Sequence, residues 1–83
     1  MELIATFYSH FGAVRFNSKC KSINCKAKMM PVPRLLSSSC GTCVSYECEN
    51  MYPFDGETVS DEIEQIVEVI DDKYTQLYRA NNS

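Results

Sequence analysis

Apolar and polar positions fall into a strand pattern, a helix pattern and a strand pattern before the first prolines. From Glu2 to Tyr8, Leu3, Ala5 and Phe7 alternate with Ile4, Thr6 and Tyr8. Both faces are largely apolar, as in a strand covered on two sides at the centre of a sheet. Ser9 then supplies an N-cap oxygen for a helix reaching about Ile23. Within it Ala13, Phe16, Cys20 and Ile23 recur at helical spacing, while Arg15, Asn17 and Lys19 fall off the stripe. Asn24 and Cys25 stand where the chain leaves the helix. Lys26 to Val32 is a second strand, ended by Pro31 and Pro33, which lack the amide hydrogen a sheet ladder needs.

A loop, Arg34-Leu-Leu-Ser-Ser-Ser-Cys-Gly41, leads to a third strand from Thr42 to Glu49. Residues 50–58, with Pro53 and Gly56, read as a connection. From Ser60 to Lys73 the pattern predicts a second helix. Val59, Ile63, Ile66, Val67 and Ile70 form a stripe at helical spacing, acids crowd its start, and Lys73 suits its end. A last strand, Tyr74 to Arg79, precedes a polar tail at 81–83. The order strand–helix–strand–strand–helix–strand predicts an α+β, ferredoxin-like βαββαβ sandwich: a four-stranded antiparallel sheet with two helices on one face. A chain of 83 residues has room for one core, so 1–80 is expected to be a single domain with 81–83 frayed.

Charge narrows the partners. The formal net charge is −3, against the basic face that nucleic acid requires. Arg15, Lys19, Lys21, Lys26, Lys28 and Arg34 lie in the first half, and seven of the eleven carboxylates lie between Glu57 and Asp72. A basic rim around one site would favour a thiolate or an anionic adduct. No run approaches the ~18 apolar residues of a membrane helix, and the first residues lack a basic leader; a cytoplasmic protein is expected.

Five cysteines in that compartment are expected to be reduced. Cys20 falls on the apolar stripe of the first helix and reads as core. Cys25 reads as incidental near its turn, although Lys21, Lys26 and Lys28 surround it. Strand parity puts Cys48 with Val44 and Tyr46 on the apolar side, and Cys43 with Ser45 and Glu47 on the other. Cys40 differs. It sits in a loop of small residues, where Ser37, Ser38, Ser39 and Gly41 leave a sulfur accessible and loop amides can cradle an anion; Arg34 adds positive charge.

Cys40-Gly-Thr-Cys43 also has the spacing of a redox dithiol. Zinc would need two further ligands, and His10 is the only histidine, so no metal is assigned. His10 serves Cys40 as a base only if the fold joins them; otherwise it is a capping or surface residue. No cofactor fingerprint is present.

Phe7-Tyr-Ser9 with Ala13 and Phe16, then Met30-Pro-Val-Pro-Arg34, then Leu36-Ser-Ser-Ser-Cys-Gly41 resemble the selenium/sulfur carrier protein-like family over about residues 3–48. The resemblance implies that Cys40 holds sulfur or selenium as a persulfide or selenosulfide. It carries over Pro31, Pro33, Arg34, Ser38, Ser39 and Gly41 as the surrounding site. It implies a cysteine desulfurase or a protein of selenium metabolism as partner, and a carrier rather than a true enzyme. Cys43 departs from the family pattern, and with it stands the alternative of a thiol-disulfide or sensor protein using Cys40 and Cys43. A non-catalytic interaction module is the third reading. Oligomeric state is open, since a bare sheet face or edge can pair.

Overall fold

A computed structural model describes residues 2–22, 24–36, 38, 40–47 and 62–79. In chain order the elements are β1 (Glu2–Phe7), α1 (His10–Ser22), β2 (Lys26–Pro31), β3 (Thr42–Glu47), β4 (Ile63–Ile70) and β5 (Lys73–Arg79). All neighbours pair antiparallel in one five-stranded sheet of order β2-β3-β1-β4-β5. β1 is central, as its two-sided apolar pattern requires. Because β3 lies between β1 and β2, those two run parallel, and α1 is the crossover of a split β-α-β unit.

The helix starts and stops by local chemistry. The Ser9 hydroxyl accepts the Gly12 amide at 3.1 Å, capping the first turn. Lys19 and Lys21 occupy the last turn, where the helix dipole favours cations. Asn24 takes φ 64°, the Asn24 amide donates to Lys21 at 3.2 Å and the Cys25 amide to Cys20 at 2.9 Å. This pair of bonds is a Schellman stop with asparagine in the left-handed position. The buried face of Gly12, Ala13, Phe16 and Cys20 packs on Leu3, Ala5, Phe7, Val44 and Tyr46. Phe16 meets the rings of Phe7 and Tyr46 at 5.3 and 5.1 Å between centroids.

The ferredoxin-like sandwich is not what forms. Residues 63–70, expected in a second helix, are strand β4, so the described residues hold one helix and five strands. A bulge explains the misleading period. Phe7 faces Ile63 while Thr6 faces Gln65, leaving Glu64 as an extra residue. The extra residue resets the alternation, so Ile63 and Ile66, three apart, share the α1 side. Val67 points the other way, into a cluster with Ile4 and Cys43, and Ile70 is exposed. Five of the eight β4 residues are β-branched, which suits a pleated surface better than a helix. The supposed helix end is a hairpin: Ile70 faces Lys73, and Asp71 and Asp72 have φ of 51° and 65°, as a two-residue type I′ turn demands. The expected connection at 50–58, Cys48 and the tail at 81–83 lie outside the described residues.

A candidate thiol site at one end of the sheet

Cys40 lies in the loop joining β2 to β3, at the end of the sheet where β1 leaves for α1. The loop closes where the Val32 amide donates to the Gly41 carbonyl at 3.1 Å, just beyond the Pro31–Thr42 pair. A turn, with the Leu36 amide donating to Pro33 at 3.0 Å, reverses the chain and leaves Arg34 and Leu35 exposed. Gly41 has φ 76°, and a Cβ there would meet nothing within 4 Å, so glycine serves the left-handed backbone and not a tight space.

The Cys40 thiol is half-buried against the α1-side core. Its S–H donates to the Thr42 carbonyl at 3.3 Å. Ser38 Oγ stands 4.0 Å from the sulfur and donates to the Phe7 carbonyl at 3.0 Å, tying the loop to the end of β1. Among the described residues the sulfur's partners are the Thr42 carbonyl and the Ser38 hydroxyl, and the amides of Ser37 and Ser39, on which the expected cradle depends, lie outside the described residues. His10, at the first position of α1, places Nδ1 3.3 Å from Thr42 Oγ1. The fold therefore brings the only histidine beside the residue that holds the Cys40 thiol.

The other cysteines are occupied differently. Cys20 is fully buried, and burial pushes its thiol up to about 11. Cys43 is also fully buried, on the opposite face, with its S–H directed at the Pro31 carbonyl at 3.7 Å. Burial first, and the neighbouring Cys40 charge second, push its thiol up to about 11. Cys20, Cys40 and Cys43 are free thiols, whereas Cys25 is disulfide-bonded, contrary to the uniformly reduced state expected.

The remaining predicted residues divide. Pro31, Pro33, Ser38 and Gly41 shape the loop, through the carbonyls and hydroxyl already described. Arg34 is on the same loop, but among the described residues it neither bonds to Cys40 nor joins an ion pair. Ser37 and Ser39 lie outside the described residues. Sequence reasoning missed Thr42 and a clamp beneath the site. In that clamp Glu62 accepts Ser9 Oγ at 3.0 Å and an ion pair from Arg15, and its carbonyl accepts the Tyr8 amide at 2.9 Å. A Cβ on Gly12 would stand 2.7 Å from Glu62 Cβ, so glycine is what admits β4 to the helix start. No local signal announces contacts across so much chain. Among the described residues no group of three or more metal-ligating side chains converges, and no helix is long and apolar enough to cross a membrane.

The family model described as Putative Se/S carrier protein-like matches residues 2–79. The chain belongs to that family. The match runs past the 3–48 stretch that carries the resemblance and takes in β4 and β5. No curated protein and no solved structure matches the chain.

Proposed function

We propose that Cys40 carries sulfur or selenium, as a persulfide or selenosulfide, between a desulfurase-type donor and an acceptor. One observation carries this reading within a selenium/sulfur-carrier family: Cys40 is the only described cysteine that is both free and partly exposed. The loading step is Cys40–SH + R–S–SH → Cys40–S–SH + R–SH. The Cys40 thiol gives up its proton, its sulfur attacks the outer sulfur of the donor, and the donor S–S bond breaks with its electron pair leaving on R–S⁻, which takes a proton. At rest the S–H is spent on the Thr42 carbonyl. A thiolate has no use for that acceptor, so loading turns the sulfur outward, where a half-buried loop residue can meet a donor. Pro31, Pro33, Ser38 and Gly41 hold the loop through this exchange, and the work is carriage rather than enzymatic turnover.

The thiol-disulfide alternative finds less support. Cys43 is buried on the other face, and a thiol raised to about 11 is a poor source of thiolate. Incubation with a cysteine desulfurase and cysteine, followed by peptide mass mapping, tests the proposal. A gain of one sulfur on Cys40, absent in Cys40→Ser and retained in Cys43→Ala, is expected. A Cys40–Cys43 disulfide with no added sulfur would overturn it.

A further inference from the structure

Residues 3–46 contain no aspartate or glutamate, yet they carry Arg15, Lys19, Lys21, Lys26, Lys28 and Arg34. This stretch builds β1, α1, β2, most of β3 and the whole Cys40 loop. The carboxylates of the described residues thus reach the site only from β4 and the residue before it. Glu62 faces α1, where Arg15 pairs with it. Glu64 turns to the other face and accepts the Thr6 hydroxyl at 3.3 Å. On the Cys40 loop itself Arg34 is exposed and joins no ion pair among the described residues, and His10 stands beside Thr42. Lys19 and Lys21 close α1 and Lys26 and Lys28 open β2, at the opposite end of the sheet, so among the described residues Arg34 is the exposed cation at the thiol end that joins no ion pair.

We infer that the sulfur compound reacting at Cys40 is anionic, its negative groups drawn in by Arg34 on the thiol's own loop. The inference rests on the carrier reading for its cargo, but the charge selection can be measured without any cargo. Attraction of this kind acts between exposed charges and decays over a Debye length of about 8 Å at physiological salt. It therefore raises the encounter rate and leaves the chemistry of sulfur attack unchanged. Two sources share the chemistry: a small anionic persulfide, or an acidic protein surface holding one. Leu35, 80% exposed next to Arg34, would touch only the second.

The test uses the full chain with Cys40→Ser as background. Rates at Cys40 are measured for dianionic dithiobis-nitrobenzoate, neutral dithiodipyridine and dicationic cystamine, each across a range of salt. Relative to the neutral reagent, the dianion is expected to gain and the dication to lose, both converging as salt rises. Arg34→Glu should cut the dianion rate about fivefold while leaving the neutral rate unchanged, and Arg34→Lys should restore it. Rates without salt dependence, or an Arg34→Glu change shared equally by all three reagents, would overturn the inference. Loading from glutathione persulfide and from a cysteine desulfurase then completes the test. Charge selection without any persulfide on Cys40 would sink the carrier reading alone; loading that ignores Arg34→Glu would sink the inference alone. A Leu35→Ser variant slowed only with the desulfurase assigns the protein source, and equal rates assign the small one.

Discussion

The β1–α1–β2 crossover and the β4–β5 hairpin reach the same sheet from opposite kinds of sequence. In the crossover, local signals agree: an N-cap serine, a stripe at helical spacing, lysines in the last turn and an asparagine stop all point to one helix. In the hairpin they conflict. A bulge at Glu64 brings Ile63 and Ile66 to one face at a spacing that imitates a helix, and an Asp-Asp turn replaces the usual Asn-Gly or Asp-Gly signal. Agreement among levels made the first region legible, and tertiary pairing decided the second.

The largest test of that contrast is a pair of truncations. On a helix with the stripe read from sequence, Ile66 and Ile70 would be buried alike. On β4, Ile66 is 2% exposed and Ile70 51%. Ile66→Ala should destabilise by about 2–5 kcal/mol in urea unfolding, and Ile70→Ala by well under ~1 kcal/mol. Equal costs would return the segment to a helix.

Alkaline pH sharpens the comparison from β3, the strand that lies between the two strands of the crossover. The Cys43 thiol is pushed from 9.0 to about 11 in the folded chain, so the unfolded chain loses this proton first. The contribution is fully present below pH 9 and is lost as pH rises toward 11, at roughly 1 kcal/mol per unit. Cys43→Ala should roughly halve the fall in unfolding free energy over that window, Cys20, raised alike to about 11, supplying the rest; an unchanged slope would show that the Cys43 thiol does not titrate with unfolding.

The smallest effect belongs to the hairpin turn. Asp72 holds φ 65°, which costs an L-residue about 1 kcal/mol that glycine avoids. Asp72→Gly should raise stability by about 0.5 kcal/mol, part of the gain being lost to the freer unfolded chain. A loss of stability would mean that the aspartate side chain holds the turn.

Five of the six described elements could be read from the residues alone, because each carries its own period and its own stop. The expected four-stranded sheet with two helices failed at β4, whose alternation is broken by a residue that only its partner β1 reveals. The site divides along the same line. Cys40, Ser38, Gly41 and the two prolines lie on one stretch of chain and read as one loop from their small, turn-forming neighbours. Thr42 gave no sign of its part, since its carbonyl role depends on the loop's path and its hydroxyl on the arrival of His10. Glu62 reads as one acid among many until Gly12 and Arg15 stand against it.

The position of β1 at the centre of the sheet has a consequence during synthesis. Ala5 pairs with Val44 on one side and with Ile66 on the other. As the chain emerges, β1, α1, β2 and β3 can assemble while one edge of β1 still waits for β4. For that interval an apolar strand with Leu3, Ile4 and Ala5 offers unsatisfied amides and carbonyls to any passing strand. Such non-local pairing slows folding and prolongs the exposure. The nascent protein is therefore most exposed to mispairing after β3 has emerged and before Ile70 does, and β4 is the element that ends the danger.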